Sequence, residues 1–293
     1  MLLVAGSIAL DSLQGGRITD ELGGSALYFS LAASRQADVT IVAPVGLDAE
    51  ARVRAVLGGR PHLDLAGLTV VDAPTYRWFS EDHEGRNVDL GSRDSIYDRW
   101  TPRVPAGYRG WAFVGSMRPD RQLEAAEQLA GCGLLAADAM RSYVVAAPEA
   151  ARSVLRLADW YFCNQEEFAA LGGDEPDAFR RRWDLRGLVV KHGPGGVSAY
   201  TADGALHVPA NTSQVVDTTG AGDALAGGML ACWQRHGGDP AQLAASLQAG
   251  VDCASVAISA IGARALMRPG SLPPGGGGGP AADRRGGRSD EAS

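Results

Sequence analysis

Short apolar runs alternate along the chain with stretches in which apolar residues recur every three or four positions. Such alternation is typical of parallel strands joined by helices, because a strand covered by helices on both faces is apolar throughout. The predicted strands cover residues 2–9, 39–45, 111–114, 134–137, 160–163 and 188–191, and the predicted helices cover residues 23–33, 49–57, 121–130, 148–157, 224–233 and about 240–261. The pattern predicts a three-layer α/β fold with helices on both faces of a mostly parallel central sheet.

The pattern changes between residues 68 and 99. Three short β-like pieces, at residues 68–71, 75–79 and 87–90, follow one another with turn residues and no helix between them. This texture predicts a small antiparallel sheet. Because it interrupts an α/β series, we interpret it as a lid over a substrate site; an ordinary hairpin at the sheet edge is the alternative.

The end of the chain differs in composition from the rest. Residues 269–293 are rich in glycine, proline and arginine and carry too few apolar residues to build a core. We therefore predict a disordered tail there. Residues 1–268 form one predicted domain, into which the lid at residues 68–99 is inserted.

Composition argues against several classes of function. The chain has 293 residues, of which 45% are hydrophobic and 21% are charged, as in an ordinary globular protein. A net charge of -7 without a basic stripe argues against a nucleic-acid partner. No apolar run approaches the roughly 20 residues that a membrane span needs, and the first residues lack a basic leader, so we expect a cytoplasmic protein without a membrane partner. The four cysteines are scattered, which favours small core residues over a disulfide or zinc site.

The strongest candidate for chemistry is the stretch from Val215 to Asp223. Two valines, a polar turn and a glycine-rich loop precede a helix there, and the first N–H groups of a helix have no partner within it. Gly220 and Gly222 leave those N–H groups open to a phosphate, while the carboxylate of Asp223 is suited to act as a base. The alternative is a tight turn closed by a capping aspartate. Since the chain has no P-loop motif and no dinucleotide-binding fingerprint, this loop is the candidate phosphate site.

Other polar residues follow or end predicted strands. Asp11 lies just past the first strand, at the sheet edge where open α/β folds bind ligands. Asn164 and Glu167 follow a strand as well, and as bare sequence they are at least equally well explained as a capping box that starts a helix. Lys191 ends a strand, where it either lies near phosphates or simply covers the strand end.

The seven residues Asp217-Thr218-Thr219-Gly220-Ala221-Gly222-Asp223 resemble the ATP-site motif of the ribokinase-like (PfkB) carbohydrate kinases. Other landmarks follow in the family's order over residues 1–268, namely Gly6-Ser7, Asp11, Gly23-Gly24, Asn164-x-x-Glu167, Lys191-His192-Gly193-x-x-Gly196 and Ala254-Ser255. The seven-residue motif is specific, and the others are individually weak but agree in order. The resemblance implies a ribokinase-like domain with a β-sheet lid, similar to a branch of bacterial sugar kinases of unassigned substrate.

The resemblance also implies roles on the ATP side. Asp223 is the expected general base, which takes a proton from a substrate hydroxyl as the hydroxyl attacks the γ-phosphate of ATP. The expected anion hole consists of the N–H groups of Gly220, Ala221 and Gly222. The residues expected to hold ATP and Mg²⁺ are Asn164, Glu167 (to the metal, through water), Lys191, Gly193, Gly196 and Thr218. Asp217 matches a residue that contributes to a monovalent-cation site in many relatives, so activation by potassium is a further expectation.

On the substrate side the resemblance assigns Asp11, Gly23 and Gly24 to sugar hydroxyls. Tyr28 departs from the pattern, because ribokinases and adenosine kinases usually carry an asparagine there, and this argues against free ribose and adenosine. The implied substrate is a sugar, a cyclitol or the sugar part of a nucleoside. Further candidate contacts, for which solvated surface charge is the alternative, are Arg77, Arg86, Asn87, Asp89 and Asp138.

The sequence leaves two alternative functions open and suggests one oligomeric state. A nucleoside kinase is the rival within the same class, and a non-catalytic relative that binds a sugar is the rival outside it. The intact glycine loop with Asp223 argues against the second rival. The exposed edge of the predicted lid suggests a homodimer formed by lid pairing, as relatives often do.

Overall fold

The computed structural model describes residues 1–83, 86–211 and 214–268, so the predicted tail at residues 269–293 lies outside the described residues. The strands are, in chain order, β1 Leu2–Ala5, β2 Ala9–Leu13, β3 Ile18–Gly23, β4 Val39–Gly46, β5 Leu63–Val71, β6 Arg77–His83, β7 Arg86–Arg93, β8 Trp111–Val114, β9 Leu134–Ala137, β10 Trp160–Asn164, β11 Gly187–Lys191, β12 Val197–Thr201 and β13 Gly204–Val208. The α-helices are α1 Ser25–Ala33, α2 Glu50–Leu57, α3 Pro119–Leu129, α4 Arg141–Ala146, α5 Pro148–Leu157, α6 Gln165–Ala170, α7 Pro176–Arg182, α8 Ala221–Arg235, α9 Leu243–Ala257 and α10 Arg264–Met267.

The central sheet of the described residues has nine strands in the order β13-β12-β11-β10-β9-β8-β1-β4-β5. Neighbours from β11 to β5 are parallel, while β12 and β13 add an antiparallel hairpin at one edge. Because side chains alternate between the faces of a strand, Leu2 and Val4 join one hydrophobic core with α1, α8 and α9, whereas Leu3 and Ala5 join a second core with α3 and α5. The predicted three-layer α/β fold is confirmed.

The lid is a second sheet, with four strands in the described residues in the order β3-β2-β6-β7. Its two hairpins, β2–β3 and β6–β7, are antiparallel, and they meet where β2 runs parallel to β6 at Ser12 and Phe79. The predicted β-sheet lid is therefore present, although half of it comes from the first 23 residues of the chain.

Two predicted strand boundaries are wrong. Residues 68–71, predicted to lie in the lid, belong to β5, which pairs in parallel with β4 at the edge of the central sheet. The predicted strand at residues 2–9 divides, because β1 ends at Ala5 and β2 begins at Ala9 in the lid. Both errors have one cause: an apolar run of a few residues shows that a strand is buried, but not which sheet it pairs with.

The helices agree with prediction where they are long. The predicted helices at residues 23–33 and 148–157 differ from α1 and α5 by at most two residues at either end. Helices α4, α7 and α10 were not predicted, since four to seven residues are too few to show a period of 3.6. Among the described residues, no helix is both long and apolar enough to span a bilayer.

Candidate active site

A cleft of about 520 Å³ lies between the lid and the carboxyl ends of the central strands. The predicted site residues that line this cleft are Asp11, Gly24, Tyr28, Asn164, Glu167, Lys191, Thr218, Gly220, Ala221, Gly222 and Asp223. Asn87, Asp89 and Asp138, suggested as further contacts, line it as well. Gly23, Gly193, Gly196 and Asp217 are not among the lining residues. Asp217 instead borders a second hollow, which residues 215–218 line together with residues of the lid.

Glycines shape the loop that precedes α8. Gly220 caps the helix with a φ of 72°, in the left-handed region that favours glycine. A Cβ on Gly220 would lie 2.3 Å from the Tyr28 ring, so no side chain fits there. A Cβ on Gly222 would lie 2.7 Å from Nζ of Lys191, so this glycine leaves space for an ammonium group against the loop. The start of α8 therefore borders the cleft with little side-chain cover, as an anion hole requires. Of the three loop N–H groups, that of Ala221 also donates a hydrogen bond to the Thr218 carbonyl at 3.3 Å.

Asp223 lies in the first turn of α8 at the bottom of the cleft. Its Oδ1 atom is buried and has no hydrogen-bond partner among the described residues. Burial raises the pKa of the Asp223 carboxyl group to about 6, against the opposing effect of Lys191 and with a further rise from Glu167. Such a group is mostly ionised at pH 7 and accepts a proton more readily than a free aspartate. These properties fit a general base.

One cation lies among three carboxyl groups beside the loop. Nζ of Lys191, at the end of β11, is 3.8 Å from Oε2 of Glu167. Burial alone would lower the pKa of Lys191, but Glu167, Asp138 and Asp223 together raise it above its usual value, so the ammonium group is charged at neutral pH. Burial, and next the charge of Asp223, raise the pKa of Asp138 well above its usual value. Lys191 is thus placed to stabilise negative charge in the cleft.

Asn164 and Glu167 form the capping box that their spacing predicts. The Asn164 side chain accepts a hydrogen bond from the backbone N–H of Glu167 at 2.8 Å, and Oε2 of Glu167 accepts one from the backbone N–H of Asn164 at 2.7 Å. Burial raises the pKa of Glu167, while Lys191 and the Asn164 N–H oppose that rise. The predicted capping box is therefore present. Both of its residues also line the cleft.

Asp11 forms the other end of the cleft, on β2 of the lid. Its side chain is buried, and burial together with the charges of Asp217, Glu21 and Asp223 raises its pKa well above the usual value. A Cβ on Gly23 would lie 1.9 Å from Oδ2 of Asp11, so this glycine makes room for the carboxylate. The resemblance assigns Gly23 to sugar hydroxyls, and in the structure the space beside this glycine is occupied by the Asp11 carboxylate.

Tyr28 connects the substrate side of the cleft to the loop. This residue of α1 is buried, and its ring is the surface against which Gly220 packs. Its hydroxyl is buried without a hydrogen-bond partner among the described residues. Tyr28 therefore supports the loop before α8 in addition to bordering the cleft.

The carboxylate of Asp217 is held by several donors. Oδ1 accepts hydrogen bonds from the Thr219 N–H at 3.0 Å, the Thr219 hydroxyl at 2.7 Å and the Asn87 amide at 2.8 Å, while Oδ2 accepts one from the Gly262 N–H at 2.8 Å. These bonds tie the loop to the lid and to the turn that follows α9. A monovalent cation at Asp217 would have to approach Oδ2, because Oδ1 already accepts three donors.

Sequence reasoning missed a serine cluster at the back of the cleft. The hydroxyls of Ser7 and Ser25 lie 3.2 Å apart, and each donates a hydrogen bond to the Ser116 carbonyl, at 3.0 and 2.9 Å. These bonds join the ends of β1 and β8 to the start of α1. Ser7 belongs to the landmarks of the resemblance, but serines give no pattern that shows that Ser7, Ser25 and Ser116 meet.

Known proteins similar to this chain include sugar and nucleoside kinases. The model of the pfkB family carbohydrate kinases matches residues 114–269. An ATP-dependent ribose-1-phosphate kinase from Halopiger xanaduensis is 41% identical over 83 residues, and this match spans 28% of the chain and 28% of that relative. A cytidine kinase from Thermococcus kodakarensis is 26% identical over 251 residues, which cover 80% of the chain and 88% of that relative.

Solved structures share the fold. Aminoimidazole riboside kinase from Salmonella enterica, in complex with aminoimidazole riboside and an ATP analogue, matches with a TM-score of 0.73 and 24% identity over 91% of the chain and 96% of that structure. A Burkholderia thailandensis nucleoside kinase in complex with inosine matches with a TM-score of 0.72 and 22% identity. This match covers 89% of the chain and 91% of that structure. At such identities these structures support the fold alone, whereas the family model covers more than half of the chain. The chain belongs to the pfkB family of carbohydrate kinases.

Proposed function

We propose that this kinase transfers the γ-phosphoryl group of ATP to a hydroxyl of a sugar or sugar-like molecule, with Asp223 as general base and the N–H groups of Gly220, Ala221 and Gly222 as the anion hole. The observation that carries the proposal is that Oδ1 of Asp223, beside the glycine loop, is buried and has no hydrogen-bond partner in the described part of the chain. A hydroxyl placed between them would have a proton acceptor on one side and N–H donors for the transferred group on the other.

The proton moves late in this mechanism. An alcohol has a pKa far above that of Asp223, so Oδ1 accepts the proton as the bond from the hydroxyl oxygen to phosphorus forms. Phosphoryl transfer asks the protein mainly for positioning and charge stabilisation. The loop N–H groups and Lys191 supply positive potential where negative charge develops, and one such donor contributes roughly 100- to 1000-fold in rate.

The residues present fit a magnesium ion that keeps much of its water. No group of three or more histidine, cysteine, aspartate or glutamate side chains in the described part of the chain is arranged to hold a metal directly. Mg²⁺ commonly binds through one or two carboxylates, waters and substrate phosphates, and Glu167 with Asn164 would hold it in that manner. When bound, the ion neutralises charge on the phosphates. Lys191 and Thr218, which line the cleft, would contact the phosphates as well.

An ADP-release assay over a broad substrate panel tests this proposal. The panel contains pentoses, hexoses, inositols, 2-keto-3-deoxy sugars and nucleosides, with Asp223→Asn as the blank. Asp203→Asn, at an exposed turn between β12 and β13, is the matched control. We expect at least one substrate to release ADP with wild type and the control but not with Asp223→Asn. Release of ADP by none of them would support the non-catalytic alternative.

A nucleoside is the second candidate substrate, because one wall of the cleft is aromatic. Tyr76 and Trp78 line the cleft, and the Trp78 indole N–H donates a 2.9 Å hydrogen bond to Asp89. A fixed indole next to a sugar site offers a surface on which a base can stack. Higher kcat/KM for cytidine, inosine or adenosine than for every free sugar of the panel would favour this candidate.

Three finer features complete the proposal. The edge strand β7 exposes Val88 and Leu90, which supports a homodimer formed through the lid, to be checked by light scattering. A monovalent cation such as potassium would act at Oδ2 of Asp217, and replacing potassium with a large organic cation would then lower the rate. Use of ATP as the donor is in keeping with a cytoplasmic protein.

A further inference from the structure

Asn87 connects the tip of the lid to the loop that precedes the anion hole. Its amide nitrogen donates hydrogen bonds to Oδ1 of Asp217 at 2.8 Å and to the Thr219 hydroxyl oxygen at 2.6 Å. Asn87 lies on β7, 130 residues before Asp217 in the chain. Both acceptors are buried. The contact therefore joins the lid to the loop before α8 through one side chain.

The donor pattern of this contact is determined by chemistry. An ionised carboxylate only accepts hydrogen bonds, so the side-chain atom of Asn87 that faces Asp217 must be the nitrogen. The Thr219 hydroxyl has one hydrogen, which it donates to Asp217 at 2.7 Å, and its lone pair is then free to accept the second amide hydrogen of Asn87. Both hydrogens of the amide are used, and neither aspartate nor serine at this position supplies two donors.

We propose that Asn87 is a positioning residue that makes the geometry of the anion hole depend on closure of the lid. Thr219 directly precedes Gly220, and its N–H and hydroxyl are both fixed on the oxygen of Asp217 that Asn87 also holds. When the hairpin β6–β7 moves away, Oδ1 of Asp217 loses one of its three hydrogen-bond donors. The Thr219 hydroxyl oxygen then loses the hydrogen bond that it accepts from Asn87. The loop then has more freedom at the residue that sets the direction of the N–H groups of α8.

The lid itself has other attachments, which makes the coupling separable from lid folding. Arg77 pairs with Asp20 of the neighbouring hairpin and with Asp48 beyond β4, and the Ser92 hydroxyl lies 3.4 Å from that of Tyr143. None of these contacts involves the phosphate loop. Loss of the Asn87 amide is therefore expected to leave the lid sheet intact while it releases the loop.

Coupling of this kind has a use in a kinase. Water is a competing acceptor of the phosphoryl group, and an anion hole that becomes ordered only under a closed lid limits transfer to water. The inference rests on the proposed function, because it assigns the loop to the transferred phosphate. It adds a residue on the lid that acts on the loop through Asp217 and Thr219.

The experiment compares wild type with Asn87→Ala, Asn87→Asp and the control Glu81→Gln, an exposed carboxylate on the same hairpin. Hydrogen exchange of the amides at residues 217–222 is measured in the ligand-free proteins. The values of kcat and KM are measured with the active substrate of the panel. In Asn87→Ala we expect faster hydrogen exchange at the N–H of Thr219, which donates to Asp217. We also expect kcat to be lower than in wild type by roughly 10- to 100-fold, with KM for ATP within about threefold of wild type. Exchange and kcat equal to those of Glu81→Gln would overturn the proposal.

Asn87→Asp supplies a readout that a merely structural role would not move. The new carboxyl group donates a hydrogen only when protonated, and ionised it repels Asp217. The ratio of its kcat to that of wild type is therefore expected to increase as pH falls, and a ratio independent of pH would overturn the donor role. If wild type turns over no substrate of the panel, the proposed function fails. Unchanged exchange in Asn87→Ala counts against the positioning role of Asn87 alone.

Discussion

The ammonium nitrogen of Lys191 lies 3.8 Å from a carboxylate oxygen of Glu167, between the end of β11 and the helix that follows β10. Both charges also act electrostatically on Asp223: Lys191 lowers the pKa of its carboxyl group, and Glu167 raises it. The two partners of this ion pair therefore set the protonation of the candidate base in opposite directions.

The pH dependence of turnover follows from this arrangement. With the pKa of Asp223 at about 6, kcat/KM of wild type is expected to rise with pH through that value and then level off. Lys191→Met removes a cation that favours the ionised form, so the midpoint should move to higher pH. Glu167→Gln removes an anion and should move it lower. Midpoints that move together, or not at all, in a pH–rate profile would contradict the assignment of Asp223 as the titrating base.

Stability should depend on pH through the same carboxyl group. The pKa of Asp223 is about 6 in the folded protein against 3.8 for an ordinary aspartate, so folding is disfavoured as pH rises from 4 towards 6 and the cost stays constant above that. The difference corresponds to about 3 kcal/mol. Asp223→Asn, which cannot ionise, is expected to be more stable than wild type at pH 8 by an amount that is much smaller at pH 4. Urea unfolding at the two pH values measures this, and an equal difference at both would contradict it.

Gly220 is expected to tolerate no side chain. Gly220→Ala combines a positive φ with a Cβ that would meet the Tyr28 ring, so it should lose activity and destabilise the fold by more than backbone strain of about 1 to 3 kcal/mol alone. The matched control is Gly107→Ala, where φ is 69°, close to that of Gly220, but no atom lies within 4 Å of the added Cβ. Thermal unfolding and ADP release compare the two. Equal stability losses with retained activity would refute the role of the Tyr28 contact.

Asp11 is expected to act on substrate binding and not on ATP. A hydrogen bond to a charged group contributes about 1.5 to 3 kcal/mol, so Asp11→Ala should raise KM for the sugar roughly 10- to 150-fold. KM for ATP serves as the internal control and should change little, because Asp11 lies at the lid end of the cleft. An equal increase in both KM values would indicate general disruption of the cleft.

Much of the fold could be predicted because the central strands are buried on both faces. Strands such as β8 and β9 read as continuous apolar runs, and their bounds were predicted without error. The lid was harder to predict, since β2 and β3 precede β6 and β7 by more than 50 residues and no local pattern shows that they share a sheet. Pairing between distant segments depends on tertiary packing, which propensity does not encode.

The candidate site could be predicted where a residue follows a strand or a glycine loop. Asp138, Asn164 and Lys191 end or follow three neighbouring strands, so the parallel sheet brings them to one edge. The double hydrogen bond of Asn87 could not be predicted, because it depends on the angle at which the lid closes. The tight packing of Tyr28 on Gly220 is of the same kind: the sequence contains both residues but not their contact.

The most direct measurement of the central claim is transfer of labelled phosphoryl from ATP to the active sugar by wild type, Asp223→Asn and Asp203→Asn, with binding of a non-hydrolysable ATP analogue measured in parallel. The account predicts labelled product with wild type and Asp203→Asn, a loss of at least roughly 100-fold in transfer with Asp223→Asn, and similar affinity for the analogue in all three. Transfer by Asp223→Asn at a rate near that of wild type would contradict the assignment of the base.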